Sequence, residues 1–156
     1  VHVFESRIRE EVRERRGAAY VSDVGFMQSD AYPGYAFITA MIDLHPKDVK
    51  KQSETVRKLA SALVKRGITK EEWLRAKAQV VAAAKRSLSD NGYWLGAVLA
   101  DSQQRPDRLE TARTLVSDAE TAALTEVNAL AARYLDPKKA FYSLIEPNAR
   151  GPKSPK

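Results

Sequence analysis

At 156 residues, the chain is long enough for one domain with a hydrophobic core and too short for two ordinary domains. The absence of cysteine excludes disulfides, thiolate metal sites and a cysteine nucleophile. The net charge of +6 is shared between a Pro/Gly/Ser-containing tail and helices that interleave basic and acidic residues, so we expect no nucleic-acid partner. No run approaches the roughly 18–20 apolar residues of a membrane-spanning helix, so we expect no membrane insertion.

The first elements are a helix and a β-hairpin. Residues 1–16 predict an amphipathic helix whose apolar side chains recur on one face; they are Phe4, Ile8 and Val12. Gly17 is a natural helix end. Two β-type runs follow at 18–27 and 35–44, and turn residues are frequent between them, which favours an antiparallel hairpin.

The rest of the chain predicts helices and a closing strand. One helix is expected between Pro46 and Gly67, with an apolar stripe made of Val49, Val56, Leu59, Ala60 and Leu63. Thr69 and Glu72 form a capping box for the next helix, which should extend to about Leu88. Further helices are expected near 93–106, 108–116, 118–123 and 126–135, and a strand at 140–146.

This order of elements predicts an α+β domain in which helices cover one face of a mainly antiparallel sheet. Three strands are few for so many helices, so we expect that the first strands lie upstream of Val1 and that the chain is a fragment or processed product. The domain is expected at 1–146, incomplete at its N-terminus, and a disordered tail or linker at 147–156.

The sequence lacks the motifs of a self-contained enzyme. His2 and His45 lie on different predicted elements, and neither H-E-x-x-H nor the inverted H-x-x-E-H occurs. G-x-S-x-G, a Walker loop and a dinucleotide fingerprint are also missing. We therefore expect no metal site built within this chain and no complete active site.

Five segments, taken in order, resemble a known family. Arg13 and Tyr20 belong to an Arg-x-x-x-Gly-x-x-Tyr pattern where the first helix meets the first strand, and a turn containing Tyr32 follows. The other segments are Thr69–Lys77, Asn91–Leu95 and Thr125–Leu135. Together they resemble the C-terminal half of bacterial zinc peptidases of the insulinase, pitrilysin and mitochondrial processing peptidase family. Arg16 departs from the pattern, since the family usually places an apolar residue before this glycine.

The resemblance implies a half-domain of a clamshell metallopeptidase that hydrolyses peptide bonds. The N-terminal half, in the same parent chain or another subunit, would supply the zinc and the glutamate base. This chain would then hold no cofactor and would be inactive alone. Arg13 and Tyr20 would contact the substrate and its transition state, and Tyr32 would help to bind the substrate. The family also favours a periplasmic over a cytoplasmic location.

The chemistry of hydrolysis suits these residue types. Breaking a peptide bond places negative charge on the carbonyl oxygen, and a phenol such as that of Tyr20 can donate a hydrogen bond to it. The guanidinium of Arg13 can hold a peptide carbonyl or carboxylate while it stays charged.

Other interpretations stay open, including whether the whole protein is an enzyme. Without the resemblance, Arg13 would be a solvated helix residue beside Glu10, and Tyr20 a half-buried strand residue. Within the family, the main alternative is a non-catalytic structural or peptide-binding member, because some relatives keep the fold and lose catalysis. A basic nucleic-acid binder, whose affinity would fall steeply with salt, is the third option.

Overall fold

The structure, a computed structural model, describes residues 1–14, 19–29, 31–32, 34–100 and 102–145. Helix α1 spans His2–Ile8 and continues as a π-helical segment at Arg9–Glu14, and strands β1 and β2 span Ala19–Gln28 and Ala36–Leu44. Helices α2 to α5 span Val49–Arg66, Lys70–Leu88, Asp107–Thr121 and Leu124–Tyr134. Short 3-10 turns lie at Pro46–Asp48 and Pro137–Lys139, and a second π-helical segment lies at Tyr93–Leu99. Among the described helices, none is long and apolar enough to cross a bilayer.

The predicted hairpin is confirmed, because β1 and β2 pair antiparallel in a two-stranded sheet. The turn between the strands contains Gly34, whose φ of 79° is a conformation that favours glycine. Helices cover one face of this sheet, on which Val24 is buried and Ile38 joins the core, and the ring of Phe26 meets Tyr134 of α5 edge-on at 6.2 Å. The α+β class with helices on one face of an antiparallel sheet is therefore confirmed.

The core lies between α1, the hairpin, α2 and the start of α3. Its buried members are Val3, Phe4, Ile8, Val12, Val24, Leu63 and Ile68. Ile8 and Val12 have no exposed surface, so the apolar face predicted for the first helix is confirmed. The stripe predicted for α2 is also confirmed in its main features, since Leu63 is buried and Val56, Leu59 and Ala60 pack against the core.

The junction between α2 and α3 is built as the sequence predicts, with one addition. Gly67 ends α2 with a φ of 75°. The Oγ1 of Thr69 accepts a hydrogen bond from the backbone N–H of Glu72 at 3.2 Å, and a carboxylate oxygen of Glu72 accepts from the N–H of Thr69 at 2.9 Å. The addition is Asn128 of α5, whose Oδ1 accepts from the N–H of Ile68 at 2.9 Å. The amide of Asn128 therefore ties α5 to the junction between α2 and α3.

Arg7 ties α1 to this junction. Its guanidinium donates to both carboxylate oxygens of Glu72 at 2.7 and 2.8 Å, and it also donates to the carbonyl oxygen of Gly67 at 3.3 Å. The hydrogen bond from Arg7 is the largest cause that lowers the pKa of Glu72, to about 2. The sequence did not reveal this ion pair, because its members are 65 residues apart and no local pattern links them.

Three expectations differ from the structure, and the first is the helix expected near 93–106, which is a π-helical segment that ends at Leu99. The predicted helices at 108–116 and 118–123 are one helix, α4, because the hydroxyl of Ser117 donates to the carbonyl of Thr114 within that helix at 2.9 Å and caps nothing. The strand predicted at 140–146 is absent over its described part, 140–145. Among the described residues the sheet holds only β1 and β2, so this apolar segment pairs with no strand. Glu146 and the tail expected at 147–156 lie outside the described residues.

Gln52 is a polar residue on the buried side of α2. Its side chain is 2% exposed, and its Oε1 accepts no hydrogen bond from the described part of the protein. A buried polar atom without a partner costs about 1–3 kcal/mol. We expect Gln52→Met to raise the free energy of unfolding by about 1 kcal/mol in urea titrations. Gln79→Met on exposed α3 surface is the control, with a change of about 0.5 kcal/mol or less. A loss of stability in Gln52→Met would instead show that the amide makes a net favourable contribution.

Candidate functional site

The candidate site residues from the sequence lie on the first helical segment and the hairpin. Arg13 belongs to the π-helical segment Arg9–Glu14, and Tyr20 is the second residue of β1. The side chains of both lie outside the described part of the structure. Tyr32 lies in the hairpin turn and is 71% exposed. Its N–H donates to the Oγ of Ser29, and its carbonyl oxygen accepts from the N–H of Tyr35, both at 3.0 Å.

The backbone at Tyr20 forms a β-bulge. Ala19 lies opposite Leu44 and Val21 lies opposite Asp43, so Tyr20 is an extra residue in the register. A bulge bends its strand and redirects a side chain away from strict alternation, and bulges are frequent beside active sites. The sequence predicted the strand but gave no signal for this irregularity, since no glycine or proline marks the position.

Tyr20 and Tyr32 lie at opposite ends of the hairpin. From Tyr20 to Gln28 the strand advances by eight residue steps of about 3.3 Å each, or about 26 Å, and Tyr32 lies beyond its end. A small molecule cannot span this distance. An extended peptide of about eight residues or more can, so joint contact with these two positions would require a long, extended ligand.

The face of the hairpin opposite the helices is uncovered in the described part of the structure. By the strand register, this open face consists of Asp23, Gly25, Met27, Phe37, Thr39, Met41 and Asp43. Met27, Phe37 and Met41 expose 54%, 40% and 71% of their surface, so the face presents large apolar side chains to solvent. Such exposed apolar surface commonly marks a site of interaction.

Gly25 has no side chain and therefore forms a flat point in the middle of the open face. A Cβ atom at this position would lie 3.1 Å from the Oγ1 of Thr39, which is the residue opposite in the register. Glycine inside a strand often permits another backbone to approach closely. The carboxylates of Asp23 and Asp43 lie on the same face towards the Tyr20 end, where they can accept hydrogen bonds from peptide N–H groups or from cations.

The helix side of the hairpin contains an apolar groove of about 410 Å³. Its lining includes Phe4, Trp73, Val80 and Leu130. The amine of Lys77 also lines it, but this group donates to the carbonyl of Ala122 at 3.2 Å and lies 5.6 Å from the ring centre of Trp73. The lining of the groove is therefore mainly apolar. Val80 of α3 is 36% exposed and lines this groove.

A smaller polar pocket of about 290 Å³ lies beside the second π-helical segment and the start of α4. Its charged groups already have partners: Arg105 pairs with Asp107 at 3.0 Å, and Arg108 donates to the carbonyl of Ala97 at 3.3 Å. The hydrogen bond from Arg105 lowers the pKa of Asp107. Trp94 is half-buried and donates to the carbonyl of Leu88 at 2.8 Å, which is a packing contact rather than an open binding position.

The described residues of the chain do not bring together the ligands of a zinc ion. Zinc in proteins takes three or four ligands from Cys, His and carboxylate side chains. Within the described ranges, no three His, Asp or Glu residues converge on one point that could hold a metal. The expectation that zinc is held by a partner half stays a prediction.

Comparison with known families places these features in context. A family model described as "Peptidase M16 inactive domain" matches residues 1–80, which is just over half of the chain. The matched part contains α1, the hairpin, α2 and the first half of α3, together with Arg13, Tyr20 and Tyr32. No curated protein matches the chain.

Proposed function

Because the chain belongs to the peptidase M16 family as its inactive-type C-terminal domain, we propose that it is the substrate-binding half of a zinc metallopeptidase. The partner half, on the same parent chain or in another subunit, supplies the zinc and the general base. The two halves together hydrolyse peptide bonds, and this chain alone does not. As a further part of this proposal, the parent protein is bacterial and works in the periplasm.

The open face of the hairpin is the observation that carries this proposal. It combines exposed apolar side chains, a flat point at Gly25 and carboxylates that can accept peptide hydrogen bonds. An extended peptide lying along this face would reach from the turn at Tyr32 towards the bulge at Tyr20. The substrate class that fits is therefore an extended or unfolded polypeptide rather than a small molecule.

Arg13 and Tyr20 have distinct roles in the proposal. The phenol of Tyr20 donates a hydrogen bond to the scissile carbonyl oxygen as negative charge develops there. The guanidinium of Arg13 holds a neighbouring carbonyl or carboxylate of the peptide, which fixes the register of the substrate. Two features support these assignments: both residues fall within the matched part of the chain, and Tyr20 lies at a bulge that can redirect its side chain.

The experiment uses the chain alone and a fluorescently labelled, unstructured peptide. We expect binding, measured by fluorescence anisotropy, without cleavage. Met41→Ser should weaken it roughly fivefold, because an exposed apolar side chain that the peptide would cover is lost. Leu95→Ser is the matched control, since Leu95 is 67% exposed on the second π-helical segment and is not one of the residues of the open face. Equal affinities of Met41→Ser and the wild-type chain would place the peptide elsewhere.

A non-catalytic family member is the second candidate, and the description of the matching domain as inactive is compatible with it. Adding the partner half distinguishes the two functions. Hydrolysis that needs both halves supports the peptidase, whereas peptide binding that persists without hydrolysis in the assembled pair supports the structural or peptide-binding member.

A further inference from the structure

Helix α2 carries an unusual share of the chain's positive charge. Its 18 residues include six Lys or Arg and a single acidic residue, Glu54, while the whole chain has a net charge of +6. Five of these cations lie on the side of α2 opposite the buried Leu63, and we call them the basic face: Lys50, Lys51, Arg57, Lys58 and Lys65. All five are exposed.

The cations of the basic face have one acidic neighbour within the helix, Glu54, which lies three or four residues from four of them and pairs with none of them in the structure. Within the described part of the chain, none of them forms an ion pair, whereas Lys85 of α3 pairs with Glu120 at 2.9 Å. The 3-10 turn Pro137–Lys139 packs against α2 and adds the exposed Lys138 and Lys139. The exposed cations of α2 and of this turn therefore belong to adjacent elements, and Glu54 is the acidic residue of the helix.

An exposed apolar segment adjoins the basic face. The guanidinium carbon of Arg57 lies 3.8 Å from the ring centre of Tyr142, which holds residues 140–145 beside α2. On either side of Tyr142, Phe141 is 91% exposed, Leu144 60% and Ile145 92%. Large apolar side chains therefore stand directly next to a row of exposed cations.

This combination distinguishes between possible partners. Nucleic acid would use the cations but not the aliphatic side chains of Leu144 and Ile145, because its sequence-independent contacts are with phosphates and stacked bases. An anionic lipid surface uses both features, since headgroups attract the cations and the interfacial layer accepts apolar side chains. The row from Lys50 to Lys65 is about 23 Å long at about 1.5 Å per residue, and a flat bilayer can meet all of it at once.

We propose that the basic face of α2, with the adjoining residues 140–145, binds the surface of an anionic phospholipid membrane without crossing it. The cations attract the headgroups, and Phe141 and Ile145 enter the interfacial layer. The two contributions reinforce each other, because either signal alone gives only weak and reversible membrane binding. This surface is separate from the open face of the hairpin and does not depend on the proposed peptidase function.

Vesicle co-sedimentation of the full chain tests the proposal. We expect binding to vesicles of mixed phosphatidylcholine and phosphatidylglycerol, little binding to phosphatidylcholine alone, and release by added salt. The double variant Lys51→Glu/Lys58→Glu should lower the partition coefficient by roughly 25-fold or more, at roughly fivefold per basic residue removed. Phe141→Ser/Ile145→Ser should lower it by roughly fivefold or more through lost apolar contact.

Matched control variants distinguish vesicle binding by this particular surface from binding through the net charge of the whole chain. Arg75→Glu/Arg86→Glu changes exposed cations of α3 and alters the net charge by the same amount as the α2 variant. Leu74→Ser/Leu95→Ser removes exposed apolar side chains elsewhere. If the α3 variant loses as much binding as the α2 variant, or if the chain binds a DNA oligonucleotide but not vesicles, the proposal is overturned. Circular dichroism confirms that each variant is folded before it is compared.

Discussion

Tyr20→Phe is expected to lower the turnover of the assembled peptidase by about 10²–10³, which is the usual loss when one hydrogen-bond donor to a developing oxyanion is removed. The substitution deletes only the hydroxyl, so the strand and its bulge should be retained. Because the hydrogen bond strengthens as charge develops on the carbonyl oxygen, kcat should fall far more than KM rises. The measurement is steady-state hydrolysis of a fluorogenic peptide by the two halves combined.

Tyr142→Phe is the matched control for this substitution. Tyr142 also loses one hydroxyl, but its ring lies over Arg57 on α2, away from the hairpin, so turnover should be unchanged. Equal turnover in Tyr20→Phe and the wild-type pair would show that the hydroxyl of Tyr20 takes no part in the reaction. A rise in KM without a fall in kcat would instead assign Tyr20 to substrate binding alone.

Local signals in the sequence correctly predicted those parts of the fold that are determined by residues close together along the chain. The capping box of Thr69 and Glu72 and the helix end at Gly67 were found because each is determined within a few residues. The prediction of two helices separated at Ser117 also relied on a local signal, and it was wrong. A serine hydroxyl can cap the start of a helix, but it can equally donate to a backbone carbonyl within a helix, as Ser117 does in α4. A local pattern does not decide between these two outcomes.

The contacts that assemble the domain are between residues far apart in the sequence, and the sequence did not reveal them. The pair of Arg7 and Glu72 and the bond from Ile68 to Asn128 each join residues at least 60 positions apart. The strand expected at 140–146 fails over 140–145 because a strand needs a neighbour, and among the described residues neither β1 nor β2 pairs with it.

The candidate site was predicted in part. The positions of Arg13 and Tyr20 came from the family pattern, and residues 1–80 match the model of that family. Their roles stay predictions. The bulge at Tyr20 and the open apolar face depend on strand register, which follows from how the two strands pair and not from either strand alone.

Arg7→Met is expected to destabilise the domain by about 2 kcal/mol, because it leaves a partly buried carboxylate without its cation. The side chains of Arg7 and Glu72 are only 19% and 20% exposed. The guanidinium of Arg7 also donates a hydrogen bond to the carbonyl oxygen of Gly67, which directly follows α2. Urea unfolding at neutral pH measures the change. Arg9→Met is the matched control: it breaks the exposed pair of Arg9 with Glu5, where Arg9 is 47% exposed, and should cost about 0.5 kcal/mol or less.

The pH dependence of this difference identifies the ion pair as its cause. The hydrogen bond from Arg7 and the N–H of Thr69 lower the pKa of Glu72 from 4.5 to about 2, although partial burial acts in the opposite direction. The folded pKa is below the unfolded pKa, so between these values the unfolded chain binds a proton that the folded chain does not. The stabilisation is therefore complete above about pH 4.5 and is lost as the pH falls towards about 2.

The stability difference between wild type and Arg7→Met should shrink over that window, while the small difference for Arg9→Met should change little. If the stability difference between wild type and Arg7→Met stays constant down to about pH 2, Arg7 acts through packing of its side-chain methylenes rather than through its charge.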